Sequence, residues 1–243
     1  NDYQYSDIKQ TKNGINFKIT HNSEIYNLHS AMIGDYMAEN ICGVFAMAHE
    51  IGIEPEKIIS AIAKFKGLKR RLEKRFEGKV TVFDDIAHSP TKAKSVLENL
   101  AKIYKCHPEF ISGSFETKNE TRKMLKQVQH DSKPHIICVF EPNTGNRQPQ
   151  SAPSYDKAFV DADEVIIPKL TKLKTFVELH HWEGSELAEI IKKTHLNTKY
   201  IDNDNELINY LTNNTKDGDV IVFCGSHSFR GMIDELIKKY ENT

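Results

Sequence analysis

The sequence predicts an α/β protein whose larger part is a Rossmann-like, doubly wound and mostly parallel sheet. From Gly67 onward, short and nearly continuous apolar runs alternate with amphipathic helical segments, and these runs are rich in β-branched and aromatic residues. Such runs are typical of strands that helices cover on both faces of a parallel sheet. Residues 1–65 follow a different pattern, so we expect them to form a separate hairpin and helical part.

The first part, residues 1–65, shows two strand-like runs and then two helical patterns. The runs between Gly14 and Leu28 flank a turn-rich spacer, which predicts a hairpin at the edge of a sheet. Apolar residues recur at helical spacing from Tyr36 to His49, and Val44 belongs to that buried pattern. A second helix is expected from Pro55, because proline suits the first helical position. Its buried residues are then expected to be Ile58, Ile59, Ile62 and Phe65.

The second part, residues 66–243, alternates predicted strands and helices. Strands are expected at Leu72–Phe76, Val80–Phe83, Ile136–Phe140, Glu164–Ile167, Lys199–Ile201 and Val220–Cys224. Helices are expected at Thr91–Tyr104, Tyr155–Val160, Ser185–Lys193, Asn205–Thr212 and Phe229–Tyr240. Connections in such folds usually have about 2–6 residues. The long polar stretch 106–131 is therefore predicted to be a surface insertion without a catalytic role.

Composition excludes several classes of protein. The chain has 243 residues, and its 33 basic and 34 acidic residues leave a net charge of -1. Proteins that bind nucleic acid or anionic membranes usually carry a basic excess, which is missing here. No run approaches the about 18 apolar residues of a membrane span, and the first residues lack the features of a signal peptide. The four cysteines contain no CxxC pair and are expected to be reduced and buried. We therefore predict a cytoplasmic protein without a nucleic-acid or membrane partner.

Polar residues follow three of the predicted strands. They are Asp84, Asp85 and His88 after the first strand, Glu141 and Arg147 after the second, and Ser226 and His227 after the third. The carboxyl ends of parallel strands meet at one edge of a sheet, where α/β proteins bind their ligands. Carboxylates, imidazoles, arginines and a helix N-terminus led by Gly225 suit an anionic ligand.

Structural roles compete with binding roles at several of these positions. The aspartate pair before Ser89 could simply cap the next helix, and Gly225 could form only a tight turn between a strand and a helix. The basic run 64–75 is either a solvated surface or directed at phosphate. Adjacent His180 and His181 resemble metal ligands, but neighbouring side chains on an extended loop point apart, so we predict no metal site.

Two motifs resemble a known family. Gly-Leu-Lys-Arg-Arg ending at Arg71 and Asp-Asp-Ile-Ala-His-Ser-Pro ending at Pro90 resemble the junction and first loop of the C-terminal domain of the Mur ligases. These are ATP-dependent, amide-forming enzymes of peptidoglycan synthesis. The sequence most resembles the branch that joins L-alanine or a ready-made tripeptide to UDP-N-acetylmuramate. The Phe-Glu-Pro run at 140–142 and the Gly-Ser-His-Ser-Phe-Arg-Gly run at 225–231 are more similar to the recycling ligase that joins the tripeptide.

The resemblance implies roles for individual residues. It implies that Arg70 reaches the ATP phosphates, that Asp85 accepts hydrogen bonds from the ribose, and that Asn40 lies near the adenine. It also implies that His88 lies near the incoming amino group and that Arg147 holds a substrate carboxylate. Arg70 and His88 are thus the predicted catalytic residues. The predicted substrate-binding residues are His88, Arg147, Ser226 and His227.

The resemblance also implies which parts of the family's enzyme this sequence contains. Residues 1–65 resemble the tail of a central ATP-binding domain, and residues 66–243 resemble the C-terminal domain. The phosphate loop G-x-x-x-x-G-K-[ST], which the central domain of the family supplies, does not occur in the 243 residues. We therefore expect a fragment whose partners are the missing N-terminal and central domains.

The predicted function is ATP- and Mg²⁺-dependent ligation of L-alanine or a peptide to UDP-N-acetylmuramate, without turnover by the isolated fragment. Two alternatives stay open: a stand-alone, non-catalytic module that binds nucleotide or assembles with other proteins, and a folylpolyglutamate-type ligase. Exposed apolar surface on residues 1–65 is expected to promote dimers or aggregation.

Overall fold

The computed structural model describes residues 2–105, 133–171 and 181–242. Contacts between residues divide the chain into two compact units, Asn1–Glu73 and Lys74–Thr243. The predicted insertion at 106–131 lies outside the described residues. Within the described part of the chain, no helix is long and apolar enough to cross a membrane.

The first unit is a three-stranded antiparallel sheet with two helices. Its strands lie in the order β1 (Gln4–Thr11), β2 (Gly14–His21) and β3 (Glu24–Ser30). Its helices are α1 (Met37–Glu50) and α2 (Pro55–Lys64). The predicted hairpin is confirmed, because β2 and β3 pair up to His21 and Glu24. The two turn residues between them, Asn22 and Ser23, have φ values of 48° and 68°. With β1 the hairpin forms a separate three-stranded sheet, in which β3 is one of the two edge strands.

The core of the first unit lies between β2 and the two helices. Ile15, Phe17 and Ile19 alternate along β2 and are buried together with Phe45 of α1. Two residues expected in this core are exposed instead: Val44 is 51% exposed and Phe65 is 45% exposed. A helix on a small sheet buries one narrow stripe, and Val44 lies beside that stripe. Phe65 follows the last residue of α2 in an extended conformation and so leaves the helix axis.

The second unit contains the predicted mostly parallel sheet. Its strands are β4 (Glu73–Glu77), β5 (Thr81–Asp85), β6 (Ile136–Glu141), β7 (Glu164–Pro168), β8 (Thr198–Ile201) and β9 (Val220–Gly225). The described α-helices of this unit are α3 (Pro90–Tyr104), α4 (Gly184–Lys192), α5 (Asp204–Asn214) and α6 (Met232–Glu241). The strand order is β4-β5-β9-β6-β7-β8, and β5 to β9 pair in parallel. Only three residues link β4 to its neighbour β5, which requires an antiparallel pair.

The two faces of this sheet bury different residues. One face carries Val82 and Phe223, which lie in one core with apolar residues of α5 and α6. The opposite face carries Phe83, whose ring contacts Tyr104 of α3 with centroids 6.1 Å apart. Helices thus cover both faces, as the nearly continuous apolar strands predicted. Three cysteines, Cys42, Cys138 and Cys224, are free and buried, also as predicted.

One predicted helix is wrong. Instead of a helix at Tyr155–Val160, the chain forms a 3₁₀ helix at Pro149–Tyr155 and then turns. Lys157 has a left-handed backbone with φ of 52°, which an α-helix cannot contain. Apolar residues at 155, 158, 159 and 162 are nevertheless buried. Their spacing resembles that of a helix, although the chain here forms turns.

Tyr155 gives this region a measurable pH dependence. Its side chain is 1% exposed, and its hydroxyl donates a hydrogen bond to the carbonyl oxygen of Asn146 at 2.5 Å. Burial raises the pKa of Tyr155, and the charge of Arg147 lowers it by a smaller amount. The folded state therefore disfavours the ionised phenolate of Tyr155. The contribution of the neutral phenol to the free energy of unfolding is fully present below the unfolded pKa of about 10, and it is lost as pH rises above that value.

We expect the stability of Tyr155→Phe to fall less steeply between about pH 9 and 11 than that of the parent chain. Urea unfolding at several pH values measures this slope. Tyr5→Phe serves as the control, because Tyr5 is 43% exposed. Equal slopes for the Tyr155 variant and the parent chain would contradict this explanation.

Candidate functional site

The carboxyl ends of three parallel strands meet at one edge of the second unit's sheet. In β9, Cys224 pairs with Asp85 of β5 on one side and with Phe140 of β6 on the other. Gly225 pairs with Glu141. After β5 the chain continues to α3 on one face, and after β9 it continues to α6 on the other. This divergence opens the kind of crevice in which doubly wound sheets bind ligands. The predicted meeting of these strand ends is confirmed.

The end of β5 positions Asp85 and His88. Asp85 is the last residue of the strand rather than the first of the loop, and its Oδ1 accepts a hydrogen bond from the backbone N–H of Ala87 at 2.7 Å. The Nδ1 of His88 lies 2.8 Å from the carbonyl oxygen of Ile86. A carbonyl oxygen only accepts, so Nδ1 carries the proton and Nε2 of the neutral ring is an acceptor.

Helix capping does not explain the aspartate pair. Ser89 is the N-cap of α3, and its side chain accepts a hydrogen bond from the N–H of Lys92 at 3.3 Å. Asp84 is 2% exposed and lies 3.7 Å from the Nη1 of Arg75. Asp84 therefore belongs to an internal ion pair, whereas Asp85 stands at the strand end.

The loop after β6 is tied to the loop after β5. The backbone N–H of Asn143 donates to the carbonyl oxygen of His88 at 3.1 Å, and the side-chain amide of Asn146 approaches the same oxygen at 3.4 Å. These bonds hold His88 beside the β6 loop.

Glu141 and Arg147 form a buried pair at the end of β6. Glu141 is fully buried and Arg147 is 3% exposed, with Arg147 Nη2 lying 3.6 Å from Glu141 Oε1. Glu141 Oε1 also accepts a hydrogen bond from the backbone N–H of Thr171 at 2.7 Å. Arg147 donates to the carbonyl oxygens of Pro142 and Thr171 at 3.3 and 2.9 Å. Burial lowers the pKa of Arg147, while the charge of Glu141 raises it. The structure thus places the predicted carboxylate-binding arginine inside the protein.

The loop after β9 has an unusual backbone. Phe229 and Arg230 have left-handed φ values of 51° and 52° and are followed by Gly231 at 87°. The strand end is crowded, because a Cβ on Gly225 would lie 2.8 Å from the Phe229 ring and 3.0 Å from the carbonyl oxygen of Glu141. The helix predicted from Phe229 begins three residues later, since residues 229–231 form a 3₁₀ turn and α6 begins at Met232. Two consecutive non-glycine residues with positive φ store backbone strain in this loop.

Three cationic or titratable side chains surround Glu141. Besides Arg147, the Nδ1 of His227 lies 3.9 Å from Glu141 Oε1, and the Nη1 of Arg230 lies 3.7 Å from Oε2. Arg230 also makes two hydrogen bonds of 2.7 Å to the carboxylate of Asp204, the first residue of α5. Among the residues that the structure describes, Glu141 Oε2 is buried and has no hydrogen-bond partner. The edge therefore carries two arginines and one histidine around one buried carboxylate, and Asp204 pairs with the arginine of the β9 loop.

The other predicted residues of this loop are Ser226 and His227, which interact with each other. The hydroxyl of Ser226 lies 3.1 Å from the Nδ1 of His227. The side chain of His227 is 51% exposed, so it is accessible from solvent. The sequence placed Glu141 at this edge without giving it a specific role, and it assigned no role to Arg230 or Asp204. A glutamate that ends an apolar strand was the signal available for Glu141.

Two predicted nucleotide-binding residues belong to the first unit. Asn40 is exposed on α1. Arg70 has a left-handed backbone with φ of 57°, and its backbone N–H donates to the carboxylate of Glu73 at 2.8 Å. Asn40 and Arg70 thus lie in a different unit from Asp85 and His88.

The described residues contain no candidate metal site. In residues 2–105, 133–171 and 181–242, no group of three or more histidine, cysteine or acidic side chains lies close enough together to hold a metal ion. His180 lies outside the described residues. His181 contacts the side chain of Gln148, and Glu183 forms a capping box with Glu186 at the start of α4.

The chain resembles known proteins along most of its length. It is 26% identical over 227 residues to the UDP-N-acetylmuramate–L-alanine ligase of Brachyspira hyodysenteriae, covering 93% of this chain and 43% of that protein. It is 26% identical over 209 residues to the enzyme of the same name from Desulfitobacterium hafniense, covering 86% of this chain and 40% of that protein. The chain therefore spans less than half the length of these curated relatives.

Solved structures show the same fold. The UDP-N-acetylmuramate-alanine ligase of Thermotoga maritima aligns with a TM-score of 0.71 at 17% identity, covering 99% of this chain and 46% of that one. A murein peptide ligase from Psychrobacter arcticus aligns with a TM-score of 0.57 at 20% identity, covering 100% and 45%. A MurF ligase from Thermotoga maritima, solved in complex with ADP, aligns with a TM-score of 0.62 at 14% identity, covering 100% and 48%.

A family model settles the classification. The model described as Mur ligase, glutamate ligase domain, matches residues 70–227, which is more than half of the chain. Its match contains the ends of β5, β6 and β9 that form the edge described above. The chain therefore belongs to the Mur ligase family.

Proposed function

We propose that this chain provides the C-terminal half of an ATP-dependent ligase that joins L-alanine or a peptide to UDP-N-acetylmuramate in peptidoglycan synthesis or recycling. The observation that carries the proposal is the single sheet edge that holds Asp85, His88, Glu141 and His227. That edge lies within a match to the Mur ligase family, and the curated relatives quoted above are named UDP-N-acetylmuramate–L-alanine ligases.

Asp85 of the second unit fits the sugar of ATP, and Arg70 of the first unit is the residue that the family resemblance assigns to its phosphates. Asp85 ends β5 beside the crevice and is 6% exposed. Its carboxylate suits ribose hydroxyl groups because ionised carboxylates only accept hydrogen bonds. Arg70 carries a permanent positive charge, which suits phosphate oxygens. Bound ATP would supply the phosphoryl group that activates a carboxylate for attack by an amine.

The described residues do not fit a magnesium site, since they contain no cluster of three or more candidate ligands. No catalytic step of this chain is therefore assigned to a metal that its own residues hold.

His88 is suited to handle the proton of the incoming amine. Its Nδ1 donates to the carbonyl oxygen of Ile86 at 2.8 Å, which orients the ring and leaves Nε2 as the acceptor. An amine attacks only after it loses a proton, and a positioned imidazole accepts protons near neutral pH. We assign that role to Nε2 of His88.

The hydrogen-bond donors around Glu141 support binding of an anionic substrate group. His227 and Arg230 are the accessible donors, with side chains 51% and 33% exposed. The hydroxyl of Ser226 lies 3.1 Å from the Nδ1 of His227 and so helps to position this imidazole. Arg147 is buried beneath them, so in this conformation it supports them through Glu141 rather than offering its guanidinium to the crevice.

The proposal is tested by isothermal titration of the 243-residue chain with a non-hydrolysable ATP analogue and Mg²⁺. We expect Asp85→Asn to weaken binding at least tenfold, because the amide replaces an accepting oxygen with a donor. Asp202→Asn changes an exposed aspartate and should bind like the parent chain. Unchanged binding by Asp85→Asn, or no binding by the parent chain, would contradict the assigned nucleotide role.

A non-catalytic nucleotide-binding or assembly module is the second candidate function. The observation that favours it is that G-x-x-x-x-G-K-[ST] does not occur in the 243 residues. Phosphate release from ATP, with UDP-N-acetylmuramate and L-alanine present, separates the two functions. We expect the chain alone to release none, whereas addition of a protein that carries the phosphate loop should restore release only if this chain is half of a ligase.

A further inference from the structure

Asp204 lies outside the three strand ends that form the candidate site, yet it binds a side chain of the loop after β9. It is the first residue of α5 and comes shortly after β8 ends at Ile201. Its two carboxylate oxygens accept hydrogen bonds of 2.7 Å from Nε and Nη2 of Arg230. A planar guanidinium held by two such bonds has a fixed orientation. Asp204 therefore sets the direction of the third guanidinium nitrogen, Nη1.

That third nitrogen of Arg230 faces the buried carboxylate at the end of β6. Nη1 lies 3.7 Å from Oε2 of Glu141, a fully buried oxygen that has no hydrogen-bond partner in the described part of the chain. An arginine carries five N–H groups, and Asp204 takes two of them. The side chain of Arg230 is 33% exposed, so the remaining N–H groups are available to a ligand at this edge of the sheet.

The backbone of the same loop is strained and needs anchors on both sides. Phe229 and Arg230 have φ values of 51° and 52°, and Gly231 follows at 87°. Non-glycine residues keep such a backbone only where the surrounding structure holds them. The ring of Phe229 is buried and packs on Phe223 with centroids 5.1 Å apart, which anchors one side. The bonds between Arg230 and Asp204 anchor the other side.

Capping of α5 does not account for Asp204. The N-cap is Asn203, whose side chain accepts hydrogen bonds from the backbone N–H groups of Asn205 and Glu206. An acidic residue in the first turn is favourable to any helix, and Glu206 meets that preference in the same turn. The paired hydrogen bonds from Asp204 to a strained loop are therefore a separate feature.

We propose that Asp204 is a positioning residue of the candidate site, which holds Arg230 and the loop after β9 in the orientation that receives the anionic substrate group. Asp204 acts through Arg230. The part of this proposal that concerns substrate rests on the proposed function, whereas the hold on the loop does not.

The first test is NMR of the ¹⁵N-labelled 243-residue chain. In Asp204→Ala, the Nε–H of Arg230 should exchange with water at least tenfold faster because it loses its acceptor, and the ring signals of His227 should shift with the loop. Asp204→Glu should restore slower exchange. Glu206→Ala removes an exposed carboxylate from the same turn and should change neither signal. The ring of His195, which precedes β8, should be unaffected in every variant.

The second test is the phosphate-release reaction with an added protein that carries the phosphate loop. Asp204→Ala should raise the KM for L-alanine at least tenfold and leave kcat nearly unchanged, because binding is weakened while His88 stays in place. A merely structural role would act differently, since loss of folded chain lowers the apparent kcat and leaves KM unchanged. Glu206→Ala should match the parent chain in both constants.

Unchanged exchange of the Arg230 Nε–H in Asp204→Ala would overturn the proposal. So would faster exchange with an unchanged KM in a mixture that releases phosphate, because Asp204 would then only stabilise the fold. If no mixture releases phosphate even with the parent chain, the proposed function fails. The NMR comparison of Asp204→Ala with Glu206→Ala then decides by itself whether Asp204 positions the loop.

Discussion

Replacing Arg147 with alanine should lower the free energy of unfolding by about 3–5 kcal/mol, because it removes the buried one of the two arginines that pair with the buried carboxylate of Glu141. Arg147 also donates to the carbonyl oxygens of Pro142 and Thr171, and truncation removes both bonds. Urea unfolding followed by fluorescence measures the loss. Trp182 is the single tryptophan of the chain, and its backbone N–H donates to the carbonyl oxygen of Arg147 at 2.8 Å, so its emission reports on this region.

Two variants separate the effect of the buried charge from other effects of the Arg147 substitution. Arg71→Ala removes an exposed arginine and should change stability by less than about 0.5 kcal/mol. Adding Glu141→Gln to Arg147→Ala should recover part of the loss, because a neutral amide costs less to bury than a carboxylate. A stable Arg147→Ala chain would contradict a structural role and would favour a side chain that serves only the substrate.

The architecture of the second unit can be predicted from the apolar patterns of its sequence. Runs such as Val220–Cys224 bury every residue, and only strands between two helical layers are apolar without alternation. The first unit is harder to predict, because β1 (Gln4–Thr11) is mostly exposed and polar. A strand that buries almost nothing leaves no periodic signal, so the three-stranded sheet was predicted only as a hairpin.

The candidate site was predicted in position but not in detail. The ends of parallel strands must meet at one edge, which is why Asp85 and His227 could be expected in the same region. The pairing of Arg230 with Asp204 joins side chains 26 residues apart, and it depends on the left-handed backbone of Phe229 and Arg230. Loop geometry of this kind depends on packing against neighbouring elements, so no motif in the sequence indicates it.

Gly225 lies at the closest approach of two strand ends, and Gly225→Ala should destabilise the chain by about 1–3 kcal/mol through overpacking. The added methyl group would lie 2.8 Å from the ring of Phe229 and 3.0 Å from the carbonyl oxygen of Glu141. The ring of Phe229 is fully buried and packs on Phe223 with centroids 5.1 Å apart, so it has little room to move. The carbonyl belongs to β6 and is held by pairing with β9.

Gly145→Ala is the matched control for this substitution. Its nearest neighbour would be the Oδ1 of Asn143 at 3.9 Å, an ordinary van der Waals contact, so stability should change by less than about 0.5 kcal/mol. Urea unfolding of both variants gives the comparison, and titration with the ATP analogue adds a second measurement. If Gly225→Ala is as stable as Gly145→Ala, the ends of β6 and β9 are more adaptable than their packing indicates. The rim formed by Glu141, His227 and Arg230 would then not be a rigid, pre-formed site.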